Sequence, residues 1–153
     1  MLQDIHVSVI GCGAMGGAII SGLLSLDIVS PEQITASDRR ESRCLELVEK
    51  HGVNVTIDNV EAVEDADVVV LSTKPQVLPQ VLAELEGNVK SDTLVLSIVA
   101  GAKISYISEG LNHSSIVRSM PNSPSQIGKG ITVWTAARDV TPSQVRQSET
   151  LLS

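Results

Sequence analysis

Gly11-Cys12-Gly13-Ala14-Met15-Gly16 has the spacing G-x-G-x-x-G. It follows the β-branched run from Ile5 to Ile10 and leads into Met15, Ala18, Ile19, Gly22, Leu23 and Leu26, which recur along one face of a helix. A strand, a glycine loop and a helix in that order can grip a diphosphate. The first glycine permits a tight turn, the second lets a pyrophosphate reach the bare backbone, and the third lets the helix lie close to the strand. Free N–H groups and the partial positive charge of the helix N-terminus then face the phosphates. Glycine is costly inside regular structure. The motif accounts for Gly11, Gly13 and Gly16, and Gly17 follows outside it.

A second cluster, Ser37-Asp38-Arg39-Arg40, closes the next strand pattern. An acid about 20 residues beyond the loop is placed to accept from a ribose 2′-hydroxyl, which suits NAD(H). Arg39 and Arg40, with Ser37, suit a 2′-phosphate and hence NADP(H). A carboxylate facing a phosphate is repulsive, so the orientation of Asp38 decides. If Asp38 turns away to cap the following helix, the arginines prevail. NADP(H) is the favoured cofactor, with NAD(H) possible.

These residues need a frame to hold them. Ser30-Pro31-Glu32-Gln33 reads as a capped helical turn and Ile34 to Ser37 as a short strand. A helix over about Glu41 to Lys50 points Cys44, Leu47 and Val48 inward, and Val53 to Val55 reads as a third strand. The continuous apolar runs Val68–Thr73 and Thr93–Val99 are strands buried on both faces. Between them Lys74-Pro75 opens a helix to about Leu85. A short helix holds Ile104 and Ile107, Ser115 to Ser119 is a sixth strand, Met120 to Lys129 a loop, and Ile131 to Thr135 a returning strand. Alternating strands and helices give an α/β fold of Rossmann type, a doubly wound, mostly parallel sheet with helices on both faces. Residues 1–140 read as one dinucleotide-binding domain. Thr141-Pro142-Ser143-Gln144 starts a helix well. That helix reaches Ser153 with no Gly or Pro to end it. Residues 141–153 therefore read as the start of a linker helix toward a further domain.

The bulk properties narrow the function. The 153 residues are 42% hydrophobic and 19% charged, which suits a soluble globular domain. A formal net charge of −7 argues against nucleic acid as a partner. No apolar window is long enough for a membrane span. The N-terminus lacks the basic region of a signal peptide. Cys12 and Cys44 form neither a disulfide framework nor a zinc pattern, so the expected compartment is the cytoplasm and no metal is expected. His6, His51 and His113 are scattered and read as structural or surface residues. Cys12 reads as a small loop residue, Met15 as core, and Trp134 as packing on the sheet.

Three further segments lie where strands end: LSTKPQVL (Leu71–Leu78), SIVAGAKI (Ser97–Ile104) and RSMPNSPSQIGKG (Arg118–Gly130). Together with IGCGAMGGAI they resemble pyrroline-5-carboxylate reductase over about Val7 to Ser153. The resemblance implies an oxidoreductase of proline biosynthesis that reduces the C=N bond of a cyclic imino acid with NAD(P)H. It implies that Gly11, Cys12, Gly13, Ala14, Met15 and Gly16 hold the pyrophosphate and that Ser37 and Arg39 meet the adenosine phosphate. The resemblance also implies that Asn59 lies near the adenosine. Asp38 stands where many NADP-using relatives carry a neutral Asn. Ser72, Thr73, Lys74 and Pro75 would pass along the nicotinamide side, Ala100 and Gly101 would form the floor under the ring, and Met120, Pro121 and Asn122 would face the substrate. The resemblance implies a second, helical domain that dimerises and completes the substrate pocket, so the full-length form would be a homodimer or larger. No catalytic proton donor is assigned, and the chain alone is expected to be inactive. Two alternatives remain: another imine or 3-hydroxyacid reductase, which the MPNSP segment opposes, and a non-catalytic nucleotide-sensing module.

Overall fold

The computed structural model describes residues 4–120, 133–136, 141, 142 and 144. In chain order the elements are β1 (Val7–Ile10), α1 (Ala14–Ser25), a 3-10 turn (Pro31–Gln33), β2 (Ile34–Ser37), α2 (Glu41–His51), β3 (Asn54–Thr56), α3 (Asn59–Val63), β4 (Val68–Leu71), α4 (Leu78–Leu85), β5 (Leu94–Ser97), α5 (Ile104–Leu111), β6 (Ile116–Met120) and β7 (Val133–Ala136). They build one sheet of order β3-β2-β1-β4-β5-β6-β7. Neighbours pair in parallel up to β6, and β7 returns antiparallel to it.

The strands are apolar throughout because both of their faces are covered. Val7, Val9, Val68, Val70, Leu94 and Leu96 join one buried cluster with Ile20 and Leu23 of α1 and Leu47 of α2. Their alternates Ile10, Val69, Leu71 and Val95 join a second cluster with Val63, Leu78, Val81, Leu82, Leu85, Ile107 and Leu111 from α3, α4 and α5. Side chains along a strand point to opposite faces in turn, so each run feeds both layers. Each aliphatic side chain fully removed from water contributes about 1.5–3 kcal/mol. That supports a core with very little aromatic volume.

Local signals set several boundaries. The 3-10 turn carries a reciprocal capping box between Ser30 and Gln33. Gly52, at φ 70°, ends α2 in the left-handed conformation. The Asp58 carboxylate caps α3 by accepting from the N–H groups of Val60 and Glu61. Beyond β7, Thr141 Oγ1 accepts from Gln144 N at 3.1 Å, and Gln144 Oε1 accepts from Thr141 N at 3.0 Å, so the expected capping pair is present.

Two expectations need correction. Val48 is 42% exposed because α2 buries only the stripe of Cys44 and Leu47. The segment after Lys74 forms a turn, and regular helix begins at Leu78. Helix α3 has no counterpart in the sequence reading, since one and a half turns are too short to show a periodic stripe. The loop from Pro121 to Lys129 and the side chain of Trp134 lie outside the described residues, as do Pro121 and Asn122 themselves.

Candidate functional site

Strand order reverses between β1 and β4, whose neighbours lie to opposite sides. Ligands of open α/β sheets bind in the crevice at the carboxyl ends of such strands. Here that crevice is a cleft of about 510 Å³, lined by the glycine loop, the tip of β2 and the end of β4.

The three motif glycines meet three different surroundings. Gly11 has φ +83°, and a Cβ there would stand 2.7 Å from Thr73 Cγ2 and 2.9 Å from Thr73 Cα. Only glycine fits that turn between β1 and the end of β4. A Cβ on Gly16 would stand 2.5 Å from Gly11 O and 3.0 Å from Ser72 Oγ, so Gly16 lets α1 lie close to the strand ends. A Cβ on Gly13 would meet nothing within 4 Å. Gly13 has no packing reason to be glycine, and it lines the cleft. This pattern fits a loop that leaves room for a phosphate at its middle glycine.

The loop is held from several sides. Gly11 N donates to Ser37 O at 2.9 Å. Ser72 Oγ donates to Gly11 O at 2.6 Å and lies 3.1 Å from Ile10 O. Cys12 N donates to Asp38 Oδ2 at 3.1 Å, and Cys12 O accepts from Arg43 Nε at 2.5 Å. Cys12 itself is fully buried. Burial first, and then the negative charge of Asp38, push its thiol up to about 12, so it packs as a small neutral residue. Met15 is half-buried and packs against the core, as expected.

Asp38 is the charged centre of the second cluster. Its side chain is 8% exposed. Oδ1 accepts from Arg40 N and from Arg40 Nε, each at 2.9 Å, and Oδ2 accepts from Arg40 Nη2 at 3.1 Å as well as from Cys12 N. Burial opposes its ionisation, but the hydrogen bonds from Arg40 and Cys12 outweigh it and hold the carboxyl below its ordinary value. Asp38 therefore neither caps α2 in place of Arg40 nor stands free toward the cleft. It ties the glycine loop to Arg40.

Ser37, Arg39, Asn59, Ser72, Thr73 and Lys74 line the same cleft, whereas Pro75, Ala100 and Gly101 do not. Ser37 Oγ, buried, donates to Asn59 Oδ1 at 2.5 Å, and Asn59 Nδ2 donates to Glu84 Oε2 at 3.2 Å. Arg39 Nη2 donates to Gln80 Oε1. Ser72, Thr73 and the exposed Lys74 line the β4 side. The Thr73 hydroxyl is buried without a hydrogen-bond partner among the described residues. Pro75, Ala100 and Gly101 line a second hollow of about 310 Å³ at the end of β5. Met120 closes β6. Sequence reasoning missed Arg43, Gln80 and Glu84. They touch the site from α2 and α4, and nothing local in the sequence links them to it.

The histidines hold structural contacts. His6 Nε2 bonds Thr35 Oγ1 at 2.7 Å, His113 Nε2 bonds Thr93 O at 2.7 Å, and His51 Nε2 lies 3.4 Å from Ser21 Oγ. Among the described residues no three His, Cys, Asp or Glu side chains gather as a metal site. No helix there is long and apolar enough to cross a membrane.

A family model described as "NADP oxidoreductase coenzyme F420-dependent" matches residues 6–101, from the start of β1 through the end of β5. The chain belongs to this oxidoreductase family. Within it, the chain is similar to the pyrroline-5-carboxylate reductase of Corynebacterium melassecola, 36% identical over 96% of the chain and 56% of the relative. A solved pyrroline-5-carboxylate reductase from Coxiella burnetii superposes with a TM-score of 0.90 at 33% identity, covering 97% of this chain and 55% of that one. A Plasmodium falciparum pyrroline carboxylate reductase with NADP bound shares the fold, with a TM-score of 0.83 at 23% identity, covering 97% of this chain and 54% of that one. The chain spans about half the length of the relatives it matches. The similarity thus covers their Rossmann-type half, as the motifs imply.

Proposed function

We propose that the chain is the cofactor-binding half of a pyrroline-5-carboxylate reductase, which reduces 1-pyrroline-5-carboxylate to proline in the cytoplasm with NADPH favoured over NADH. On this reading residues 1–140 form the dinucleotide domain and residues 141–153 begin the helix toward a dimerising substrate domain. The observation that carries the proposal is the open space at Gly13, at the mouth of a cleft lying on the switch point of the sheet.

The cofactor, when bound, supplies the reducing equivalent. The chain's own residues bind and orient it. The N–H groups of Gly13, Ala14, Met15 and Gly16 open α1 without intrahelical acceptors and would take the diphosphate. Arg39 and Arg40 line the adenosine end. Arg40 already neutralises Asp38, which reduces the repulsion a 2′-phosphate would meet. Ser72, Thr73, Lys74 and Pro75 would flank the nicotinamide side, and the small residues Ala100 and Gly101 allow a ring to lie close. Met120, Pro121 and Asn122 would face the imino acid. Such positioning is what a hydride donor needs from its protein.

Titration calorimetry with NADPH and NADH tests this. Both are expected to bind, NADPH about tenfold more tightly through one extra charge-assisted phosphate contact. No heat from a folded sample overturns the nucleotide reading, and tighter binding of NADH overturns the preference. Addition of 1-pyrroline-5-carboxylate is expected to give no proline with this chain alone, because the resemblance places the rest of the substrate pocket in the half of the relatives beyond it.

A further inference from the structure

Gly17 lies outside the glycine motif, and the structure gives it a reason. A Cβ there would stand 2.5 Å from Nη2 of Arg43. Arg43 belongs to α2, yet its side chain is only 23% exposed, because it lies across the glycine loop. Nε donates to Cys12 O at 2.5 Å, and Nη2 reaches Gly13 O at 3.5 Å. Nη1 donates to Glu46 Oε2 at 3.1 Å, one turn along α2. An exposed ion pair of that kind contributes little by itself, and it would not require a glycine on the facing helix. Cys12 and Gly13 line the cleft, whereas Arg43 is not among the lining residues. Arg43 therefore touches the loop from behind.

A trans peptide carries its C=O and the following N–H on opposite sides. No described peptide is cis. Holding Cys12 O toward α2 turns the N–H group of Gly13 away from α2. Gly13 O is held separately, by Gly17 N at 2.9 Å in the first bond of α1. The Gly13 N–H is one of the groups that a helix start leaves without internal acceptors. We infer that Arg43 is a positioning residue of the dinucleotide site: its guanidinium, admitted by the absent side chain of Gly17, fixes the Cys12–Gly13 peptide, whose amide receives the diphosphate. The ligand in this statement rests on the nucleotide reading above. The orientation of the peptide does not.

The test combines Arg43→Ala, Arg43→Lys, Gly17→Ala and the Gly17→Ala/Arg43→Ala double variant. Binding of NADPH and NADH is read by calorimetry, folding by thermal melting, and the loop by amide proton–nitrogen spectra of the free protein. Arg43→Ala should weaken both nucleotides equally, about tenfold, since the diphosphate is common to both and one charge-assisted contact to the loop is lost. Lys offers a point charge in place of a fork and should restore part of that affinity. Gly17→Ala pushes the guanidinium aside while favouring the helix. It should lose as much affinity as Arg43→Ala with no drop in melting temperature. The double variant should bind no worse than the singles, because both remove one interaction. In the free protein the Gly13 amide should move in both Arg43→Ala and Gly17→Ala while Gly52 and Gly87 stay in place. Unchanged affinity in Arg43→Ala, a loss confined to NADPH, or additive losses in the double variant would overturn the inference. If the unmodified chain binds neither nucleotide, the nucleotide reading fails instead, and the free-protein spectra decide: an unmoved Gly13 amide in Arg43→Ala overturns the clamp.

Discussion

The two ends of the site are built differently. Around the glycine loop, carbonyls and amides are tied by side chains from other elements: Ser72 after β4, Asp38 after β2 and Arg43 on α2. At the end of β5, Ala100 and Gly101 are small and exposed, and they line a smaller hollow with Pro75. The first region is organised by the chain itself, as a diphosphate cradle must be if it is to cost little reorganisation on binding. The second offers a floor and few polar contacts, which suits a flat ring placed mainly by shape. Affinity should therefore reside in the loop, and the β5 end should tolerate change with little effect on folding.

The largest effect tests the crowded turn. Gly11→Ala combines a left-handed backbone with a 2.7 Å approach to Thr73 Cγ2. It should cost about 3 kcal/mol in chemical denaturation, the sum of strain and overpacking, and abolish nucleotide binding. Gly101 is the control at the other end. It has φ +75°, but a Cβ there meets nothing within 4 Å. Gly101→Ala should cost only about 1 kcal/mol. Equal losses at the two glycines would erase the distinction between the regions.

Next in size is Asp38→Asn, with an expected loss of about 1–2 kcal/mol at neutral pH from weakened charge-assisted hydrogen bonds to Arg40 and Cys12. Its pH dependence has a definite sign. The folded carboxyl titrates below its ordinary value, so the unfolded chain takes up the proton first as the pH falls. The advantage of the native protein over Asp38→Asn is full above the ordinary carboxylate range, above about pH 5. It declines as the pH drops through that range toward the lower folded value. A difference between the two proteins that stays constant down to pH 3 would remove Asp38 from the ties that organise the loop.

The smallest stability effect carries the sharpest functional contrast. Gly13 has φ −74° with open space around it. Gly13→Ala should change stability by no more than about 0.5 kcal/mol while weakening NADPH at least tenfold, because the added methyl group occupies the space that the phosphate needs. Retention of affinity in that variant would move the ligand off the loop.

Much of this arrangement was legible in the sequence because it rests on local chemistry. The apolar runs at Val68 and Thr93 announce buried strands, the glycine spacing announces the βα turn, and Ser30 and Thr141 announce helix starts. Where signals were local but weak, the reading fell short: α3 is too brief for periodicity, and Val48 has an apolar side chain on a face that no element covers. The orientation of Asp38 depended on Cys12 N–H, 26 residues away, and on a guanidinium two residues on. The links of Arg43 to Cys12, Gln80 to Arg39 and Glu84 to Asn59 span 25 to 41 residues and leave no pattern in the chain. Such contacts exist only once the sheet has assembled.

The central claim, that the glycine loop receives the diphosphate of a dinucleotide, is tested most directly by following backbone amide resonances as NADPH is added. The account predicts that the largest shifts fall on Gly13 and Ala14, followed by Thr73, with Gly52 and Gly87 unchanged. Saturable shifts confined to residues away from the cleft, or no shifts from a folded protein at millimolar nucleotide, would contradict it.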